Sequence, residues 1–435
     1  MKLFNTSLKV QGYPIDIASL KLNIRQSLNK DQFIRETDEL RHSIFEFHKT
    51  HNIHYRQFLG SRLIKDWNDI PVMTKQSVQV NVSERLSDGF TLKNVYLNST
   101  SGSSGHPFYF AKDKFSHAMT WAVIMNRYNR HGIDPNHSLQ ARFFGIPLNS
   151  RGYINEKIKD KLSNRVRFPV FDLSEKVLDK YLHTFTTKPF EYLNGYSSSL
   201  VLFAKHVTNR GFVLKDICPT LKLCITTSEI CFPEDRFVMQ KSFGVKVVNE
   251  YGAAELDLIA FEDEDLDWIM TNENLYFEVV DDNNNPVENG NEGKLLVTSL
   301  YNKAMPFIRY EIGDIVRIKR EKKGNNQILE SLIGRTNDIA VLPSGKKSPG
   351  LTFYYISKSL LEQGGFLKEF IIKQTRPDHF IFEYVASQEL HENQKRKIRK
   401  KVDLYLEPGL ECEFKRVDKI DRTKAGKLKH FQKLF

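Results

Sequence analysis

Six consecutive small residues, all serine, threonine or glycine, occupy positions 100–105 of the chain. They read Thr100-Ser101-Gly102-Ser103-Ser104-Gly105. Glycine leaves backbone N–H groups open to a ligand, and successive amides and hydroxyls of this kind form a concave site for phosphate. A solvated turn has the same composition, so both interpretations stay open on this stretch alone. It is not a Walker-type loop, because the next residue is His106 and not lysine.

Two carboxylates, those of Glu255 and Asp314, follow predicted strand ends or turns. Glu255 closes the stretch 249–255, where a carboxylate could bind Mg²⁺ and Tyr251 could stack on a base. Asp314 follows Gly313, and an aspartate after such a turn can accept hydrogen bonds from both hydroxyls of a ribose. The alternatives are a surface acid at Glu255 and a charged hairpin end at Asp314.

Two cations, Arg335 and Lys427, stand in polar stretches of the last hundred residues or so. Arg335 follows a glycine and precedes Asn337 and Asp338. This short stretch therefore contains a flexible residue, a cation and an acid. Lys427 follows Gly426 close to the C-terminus. An ordinary linker and a solvated tail would have the same composition, so neither residue identifies a site by itself.

Segments of helical and strand-like periodicity alternate between positions 139 and 249. This alternation predicts parallel βαβ units. The carboxyl ends of the strands in such units meet at one edge of the parallel sheet, and ligands bind at that edge. Helices are expected at 31–51, 115–131, 174–186, 197–209 and 233–243, and strands within 139–147 and at 190–195, 221–226 and 245–249.

The period shortens towards two from Trp268 to Ile318, which predicts a smaller antiparallel sheet or barrel. A change of charge balance follows, because the residues from Gly334 onward contain 21 Lys/Arg and 13 Asp/Glu. We therefore expect two domains, 1–333 and 334–435. The basic clusters at 395–397 and 399–401 are typical of a solvated helix face, and a patch for a phosphate-rich or acidic partner is the alternative.

Composition excludes several classes of protein. The chain is 435 residues long, 40% hydrophobic and 27% charged, as in globular proteins, and no apolar run approaches the roughly 20 residues of a membrane span. The N-terminal residues lack a long apolar core, so no signal peptide is expected. The cysteines show no paired spacing, which argues against a disulfide framework or a zinc site and favours a cytoplasmic location. They are Cys218, Cys224, Cys231 and Cys412.

Taken in order and spacing, these stretches resemble the adenylate-forming superfamily of acyl-CoA synthetases, luciferases and peptide-synthetase adenylation domains. Within it, the chain is similar to the short phenylacetate–CoA ligases and to relatives named after capsular polysaccharide biosynthesis. The chain length, the Ile-Pro-x-x-Thr-Lys turn at 70–75 and the Pro-x-x-Arg-Tyr-x-x-Gly-Asp stretch at 306–314 are closest to that branch. The resemblance extends from about Ile70 to Lys427.

The resemblance implies a fold and a set of nucleotide contacts. The fold would be a large N-terminal α/β domain, with parallel sheets, helices and a small β-barrel-like part, and a small mobile α+β C-terminal domain. Asn337 and Asp338 would be the hinge. The nucleotide contacts would be residues 100–105 for the triphosphate of ATP, Tyr251 and Gly252 for adenine with Ser228 and Glu229 beside them, and Asp314 for the ribose with Arg335 next to it.

The resemblance also implies the chemistry. A carboxylate would attack the α-phosphorus of ATP, while Mg²⁺ on Glu255 and the ammonium of Lys427 offset the negative charge. The acyl-adenylate would then react with a thiol of CoA or of a carrier protein, after rotation of the C-terminal domain removes Lys427. An amide-forming ligase of surface-polysaccharide biosynthesis is the alternative. The cofactors implied are ATP, Mg²⁺ and CoA, and neither the acid nor the oligomeric state follows.

Three departures from the pattern of the superfamily bear on activity. Ala254 stands where a hydroxyl residue usually precedes the motif glutamate, Phe108 replaces a lysine that often follows the phosphate loop, and the Gly-rich turn after the hinge becomes residues 342–347. A catalytically silent relative that serves as a binding protein is therefore a rival hypothesis. A nucleic-acid binder is disfavoured, because the basic tail lacks interleaved aromatic residues. Phe143, Phe144 and Tyr196 could line the acid pocket, although a place in the core is more common for phenylalanines.

Overall fold

The computed structural model describes residues 3–75, 77, 80–99, 108–145, 150–170, 173–335, 339–345, 347–349, 353, 356, 367–420 and 431–435. The predicted phosphate loop at 100–105, the hinge residues Asn337 and Asp338, and Lys427 lie outside these ranges. Of Arg335 only the main chain is described.

In the described part of the chain, helices lie on both sides of the main sheet. Several begin at cap residues, as at Asn29, whose side chain accepts a hydrogen bond from the Gln32 N–H while the Gln32 side chain accepts one from the Asn29 N–H. Their bounds are α1 Leu3–Val10, α2 Ile15–Ser27, α3 Lys30–His51, α4 Ile53–Leu59, α5 Lys114–Arg130, α6 Ser150–Leu162, α7 Glu175–Thr187, α8 Ser197–Asn209, α9 Leu214–Ile217, α10 Pro233–Phe243 and α11 Glu392–Tyr405.

The strands form one large sheet, a smaller sheet near the C-terminus and two short hairpins. Their bounds are β1 Tyr96–Ser99, β2 Tyr109–Lys112, β3 Gln140–Phe143, β4 Arg165–Phe168, β5 Tyr192–Tyr196, β6 Leu223–Thr227, β7 Lys246–Ala253, β8 Asp257–Glu262, β9 Trp268–Met270, β10 Leu275–Val280, β11 Glu292–Ser299, β12 Tyr310–Lys323, β13 Asn326–Arg335, β14 Ile339–Val341, β15 Lys347–Pro349, β16 Leu367–Arg376, β17 His379–Ala386, β18 Glu411–Arg416 and β19 Phe431–Lys433.

The large sheet has eleven strands in the order β10-β11-β12-β13-β9-β8-β7-β6-β5-β3-β4. Strands β4, β3, β5, β6 and β7 are parallel, and helices connect them, as the alternating pattern predicted. Helices α8 and α10 begin and end at the predicted residues. Strands β8 to β13 are antiparallel to their neighbours, as the shorter period predicted, and they continue the same sheet rather than forming a separate one.

Both faces of the parallel strands are buried. One face packs against α7, α8 and α10 through a core that includes Phe143, Phe185 and Phe203. The other face packs against α2 and α5 through Tyr192, Ile225 and other apolar residues. Burial on both faces explains why these strands read as continuous apolar runs without alternation.

Residues near the C-terminus form a four-stranded sheet in the order β18-β17-β16-β19 with α11 against it. Its core contains Ile398 and Val402 of α11 and Phe380 and Phe382 of β17. The fold class is therefore confirmed: a large α/β part and a separate, smaller α+β sheet. The four cysteines are free thiols. None of the helices in the described ranges is long and apolar enough to cross a bilayer.

A buried ion pair ties α5 to the turn between β9 and β10. The Arg127 guanidinium donates two hydrogen bonds of 2.8 Å to Glu273, and both side chains are only 2% exposed. Glu273 also accepts hydrogen bonds from Gln26 of α2 and Asn326 of β13. One carboxylate thus joins four separate segments, and its removal would leave the Arg127 charge buried without a counter-ion.

We expect Glu273→Gln to destabilise the protein by about 3–5 kcal/mol, because an uncompensated buried charge remains. The matched control is Asp16→Asn, which removes an exposed ion pair with Lys9 and should cost about 0–1 kcal/mol. The measurement is the midpoint of thermal unfolding. Equal midpoints for the two variants would contradict the structural role of Glu273.

Candidate active site

The predicted site residues that the structure describes meet at the carboxyl edge of the parallel strands. Strand β7 ends there in a β-bulge at Tyr251 and Gly252, where the chain turns back into β8. A Cβ atom on Gly252 would lie 2.2 Å from the carbonyl oxygen of Asp257, so only glycine fits this turn. Gly252 itself is exposed, which leaves its backbone open to a ligand.

Tyr251 and Asp314 are in direct contact although 63 residues separate them in sequence. The Tyr251 hydroxyl donates a hydrogen bond of 2.6 Å to Oδ2 of Asp314, and both residues are buried. The Tyr251 ring lies nearly parallel to the ring of Trp268, with centroids 6.1 Å apart. Asp314 of β12 pairs in register with Arg335 of β13, so the main chain of that predicted cation runs beside it.

Glu255 lies in a buried polar cluster with two residues of other motifs. Its Oε1 atom accepts a hydrogen bond of 2.8 Å from the Tyr310 hydroxyl and lies 3.5 Å from Nζ of Lys75. Glu255 is 2% exposed, whereas Lys75 is 42% exposed. The stretches at 70–75, 249–255 and 306–314 therefore converge on one carboxylate.

Arg309 aligns two of these stretches, and the sequence analysis assigned it no separate role. Its guanidinium is buried, and it donates hydrogen bonds of 2.7 Å to the carbonyl oxygens of Asn68 and Ile70. Its Nε atom donates to Glu278 at 3.1 Å, and burial raises the pKa of that carboxyl group. The only sequence signal for Arg309 is its place in the stretch 306–314.

Ser228 and Glu229 follow β6 and lie at the same edge of the sheet. Ser228 has a positive φ of 68°, which turns the chain away from the strand. The Glu229 carboxylate accepts a hydrogen bond of 2.8 Å from the Ser198 N–H in the first turn of α8. A carboxylate at a helix N-terminus is stabilised by the helix dipole, so Glu229 fixes this turn next to β7.

The predicted phosphate loop lies outside the described residues, but its flanks are anchored near Gly252. Ser99 of β1 pairs with Tyr109 of β2 in an antiparallel hairpin whose strands enclose residues 100–107 in sequence. Lys112 at the end of β2 forms a buried ion pair with Asp257, the residue that faces Gly252. The hairpin is therefore attached to the turn that carries the other site residues.

Of the three aromatic residues considered for an acid pocket, one lies in the core and two lie at the carboxyl edge of the sheet. Phe143 is fully buried and packs against Phe168 and Phe203, so it belongs to the core. Phe144 and Tyr196 contact each other at the carboxyl edge, with ring centroids 4.7 Å apart. Burial raises the pKa of Tyr196 to about 12, so its hydroxyl stays protonated near neutral pH.

Metal-binding clusters are absent from the ranges that the structure describes. No group of three or more His, Cys, Asp or Glu side chains is arranged to hold a metal ion there.

Comparison with known sequences shows two related proteins, and no profile of a known protein family matches the chain. CapK of Staphylococcus aureus is 22% identical over 371 residues, which cover 83% of this chain and 78% of CapK. Phenylacetate-coenzyme A ligase of Aromatoleum evansii is 27% identical over 131 residues, or 28% of this chain and 29% of that enzyme.

Solved structures share the fold at low sequence identity. A 2-hydroxyisobutyryl-CoA ligase, crystallised in its postadenylation state with an acyl-AMP ligand, superposes with a TM-score of 0.71 at 16% identity, covering 94% of this chain and 91% of the ligase. The amide bond synthetase McbA of Marinactinospora thermotolerans has a TM-score of 0.53 at 15% identity, covering 80% of this chain and 70% of McbA. The chain therefore has the fold of the adenylate-forming ligases, and its sequence is similar to those of CapK and phenylacetate–CoA ligase, as the motifs predicted.

Proposed function

We propose that the protein uses ATP to convert a carboxylic acid into an acyl-adenylate and then transfers the acyl group to a thiol of CoA or of a carrier protein. The observation that carries this proposal is the convergence of Tyr251, Asp314 and Glu255 at one sheet edge, in a chain with the ligase fold. The relatives add support, because one is a CoA ligase and a solved structure that shares the fold holds an acyl-AMP.

The nucleotide would lie along the turn between β7 and β8. Asp314 would accept hydrogen bonds from the ribose hydroxyls, and its contact with Tyr251 fixes the carboxylate for that purpose. Gly252 would let the adenine approach the backbone, beside Ser228 and Glu229. Residues 100–105 would hold the triphosphate, since the hairpin that flanks them is attached to the same turn by Lys112.

Glu255 fits the role of a Mg²⁺ ligand. Magnesium is commonly held by one or two carboxylates together with water and substrate phosphates, so a larger protein cluster is not required. Glu255 is 2% exposed and has Nζ of Lys75 3.5 Å from Oε1, and the 42% exposure of the Lys75 side chain leaves it room to turn away. When bound there, the ion would offset the charge of the phosphates.

The C-terminal part would supply Lys427 and move between the two half-reactions. Its core runs from Ala340 to Phe431 and is separate from the three cores of the preceding residues. We propose domains at 1–333 and 334–435 with a hinge at Asn337 and Asp338. Strand β13 extends to Arg335, so the proposed hinge follows directly after the last strand of the large sheet.

Transfer to an amine is a second candidate. The similarity to CapK covers 83% of the chain, far more than the 28% matched by phenylacetate–CoA ligase, and an amide bond synthetase shares the fold. An amine on a sugar would then replace the thiol as acceptor.

Ala254 is the main support for the third hypothesis, in which the protein is a catalytically silent relative that serves as a binding protein. A cytoplasmic location is part of the proposal, because the four cysteines are free thiols.

Asp314→Ala should weaken ATP binding about 10- to 100-fold, because it removes charge-assisted hydrogen bonds to the ribose. The measurement is the dissociation constant by calorimetry, on variants whose thermal unfolding shows that they are folded. The control is Glu311→Ala, which removes a carboxylate from the opposite face of the same strand. Unchanged affinity in a folded Asp314→Ala variant would remove this residue from the nucleotide site.

Lys427→Ala should suppress acyl-adenylate formation by several orders of magnitude, since its cation would act mainly in the transition state. Transfer from a pre-made acyl-adenylate to the acceptor should be spared, because the C-terminal domain has by then rotated away. The two half-reactions are measured by pyrophosphate release and by product formation. Lys433→Ala, a second lysine near the C-terminus, is the control and should change neither rate.

Equal losses in both half-reactions would contradict the two-conformation mechanism. If the wild type forms no adenylate from any acid in a broad panel, the enzyme hypothesis fails and the binding-protein hypothesis gains support.

A further inference from the structure

A guanidinium without an ion-pair partner lies at the carboxyl edge of the parallel strands. Arg142 of β3 is half-buried, and its Nε atom is fully buried without a hydrogen-bond partner. Among the residues that the structure describes, no carboxylate forms an ion pair with it. Its guanidinium carbon lies 3.9 Å from the centroid of the Phe144 ring. A charge in such surroundings is costly unless a partner arrives from outside the chain.

Arg142 faces the α5 side of the sheet. Its strand neighbours Ala141 and Phe143 point into the opposite core, so the Arg142 side chain emerges on the other face. Asn194 of β5 is its partner in register. Ligands bind at the carboxyl edge of parallel strands, and this is the edge that carries Tyr251.

The two neighbouring arginines on β4 are neutralised, and Arg142 is not. Arg167 donates hydrogen bonds to Glu156 at 2.6 Å and to Asp160 at 2.9 Å. Arg165 donates to Asp160 at 2.5 Å. The two carboxylates of Glu156 and Asp160 thus form ion pairs with two guanidinium groups. Arg142 is a third guanidinium next to these arginines and has no carboxylate of its own among the described residues.

Glu250 of β7 is an acid on the same face of the sheet, and other groups occupy both of its oxygens. Tyr128 donates to one oxygen at 2.7 Å and Thr227 to the other at 3.1 Å. Burial raises the pKa of Glu250 and lowers the pKa of Arg142 to about 10, to which the positive charges of Arg165 and Arg167 contribute. Arg142 and Glu250 attract each other at a distance, but among the described residues no hydrogen bond or ion pair joins them, so burial still determines the direction of both pKa changes.

We propose that Arg142 binds a second carboxylate of the acid, so that the substrates are dicarboxylic acids adenylated at one end. The inference rests on the proposed function and adds the class of substrate. A guanidinium is suited to bidentate recognition of a carboxylate, and Phe144 and Tyr196 would flank the intervening carbons. Strands β3 and β7 are three neighbours apart, or about 14 Å, which favours diacids with several carbons between their carboxyl groups.

The test compares acids of equal length with one or two carboxyl groups. Pyrophosphate release is measured with hexanoate against adipate and with octanoate against suberate, for the wild type and for Arg142→Met and Arg142→Lys. The wild type should prefer the diacid. Arg142→Met should lose about 10- to 100-fold in kcat/KM for the diacid and little for the monoacid, and Arg142→Lys should restore part of the loss. Arg62→Met, which removes an exposed cation elsewhere, should leave the preference unchanged.

Binding of adipate by calorimetry separates failure of this inference from failure of the proposed function. Equal use of monoacid and diacid by the wild type, with no change in Arg142→Met, overturns the inference and leaves the ligase intact. Adipate binding that depends on Arg142, without pyrophosphate release from any acid, supports the carboxylate site and contradicts the ligase. Absence of both binding and turnover overturns both proposals. Thermal unfolding of each variant shows that a loss is not a folding defect.

Discussion

The geometry of the candidate site depends on one short alignment of two chain segments. Met73 accepts a hydrogen bond of 2.8 Å from the Glu311 N–H, and its own N–H donates one of 3.1 Å to the Arg309 carbonyl. The Arg309 guanidinium secures the same alignment through the carbonyl oxygens of Asn68 and Ile70. Because these segments run side by side, Lys75 and Tyr310 reach the same carboxylate, that of Glu255.

The sheet provides the second constraint. One continuous sheet carries both the parallel strands and β12, so the carboxyl end of β7 and the turn before Asp314 occupy fixed positions relative to each other. Rigid strands position such groups more accurately than loops do, which matters for catalysis that depends on placed charges rather than on covalent chemistry. Arg142 lies on the same sheet, on a strand three positions away from β7.

Much of the fold could be predicted from sequence because local signals and burial agree there. Helices α8 and α10 were predicted to the residue, since a proline or a serine run marks their start and a glycine follows soon after their end. The hydrogen bond between Tyr251 and Asp314 could not be predicted, because it depends on a β-bulge and on strands 63 residues apart. The continuity of the antiparallel strands with the parallel sheet was missed for the same reason, since strand order is not a local property.

The residues proposed for the site came from sequence motifs, and their roles stay predictions. The structure joins Tyr251 to Asp314 and Tyr310 to Glu255 by hydrogen bonds, which the motifs alone do not indicate. Arg309 and Arg142 received no role, because a buried guanidinium looks in sequence like any surface arginine. The difference between them emerges only from contacts: Arg309 has its partners within the chain, whereas Arg142 lacks an ion-pair partner among the described residues.

The fate of the carboxylate oxygen tests the central claim most directly. If a carboxylate attacks the α-phosphorus of ATP, an acid labelled with ¹⁸O in its carboxyl group must leave one labelled oxygen on AMP after the acyl group is transferred. Mass spectrometry of the nucleotide products with CoA or an amine as acceptor measures this transfer. The account predicts labelled AMP and unlabelled pyrophosphate. Label in inorganic phosphate, together with ADP, would show an acyl-phosphate route and would contradict it.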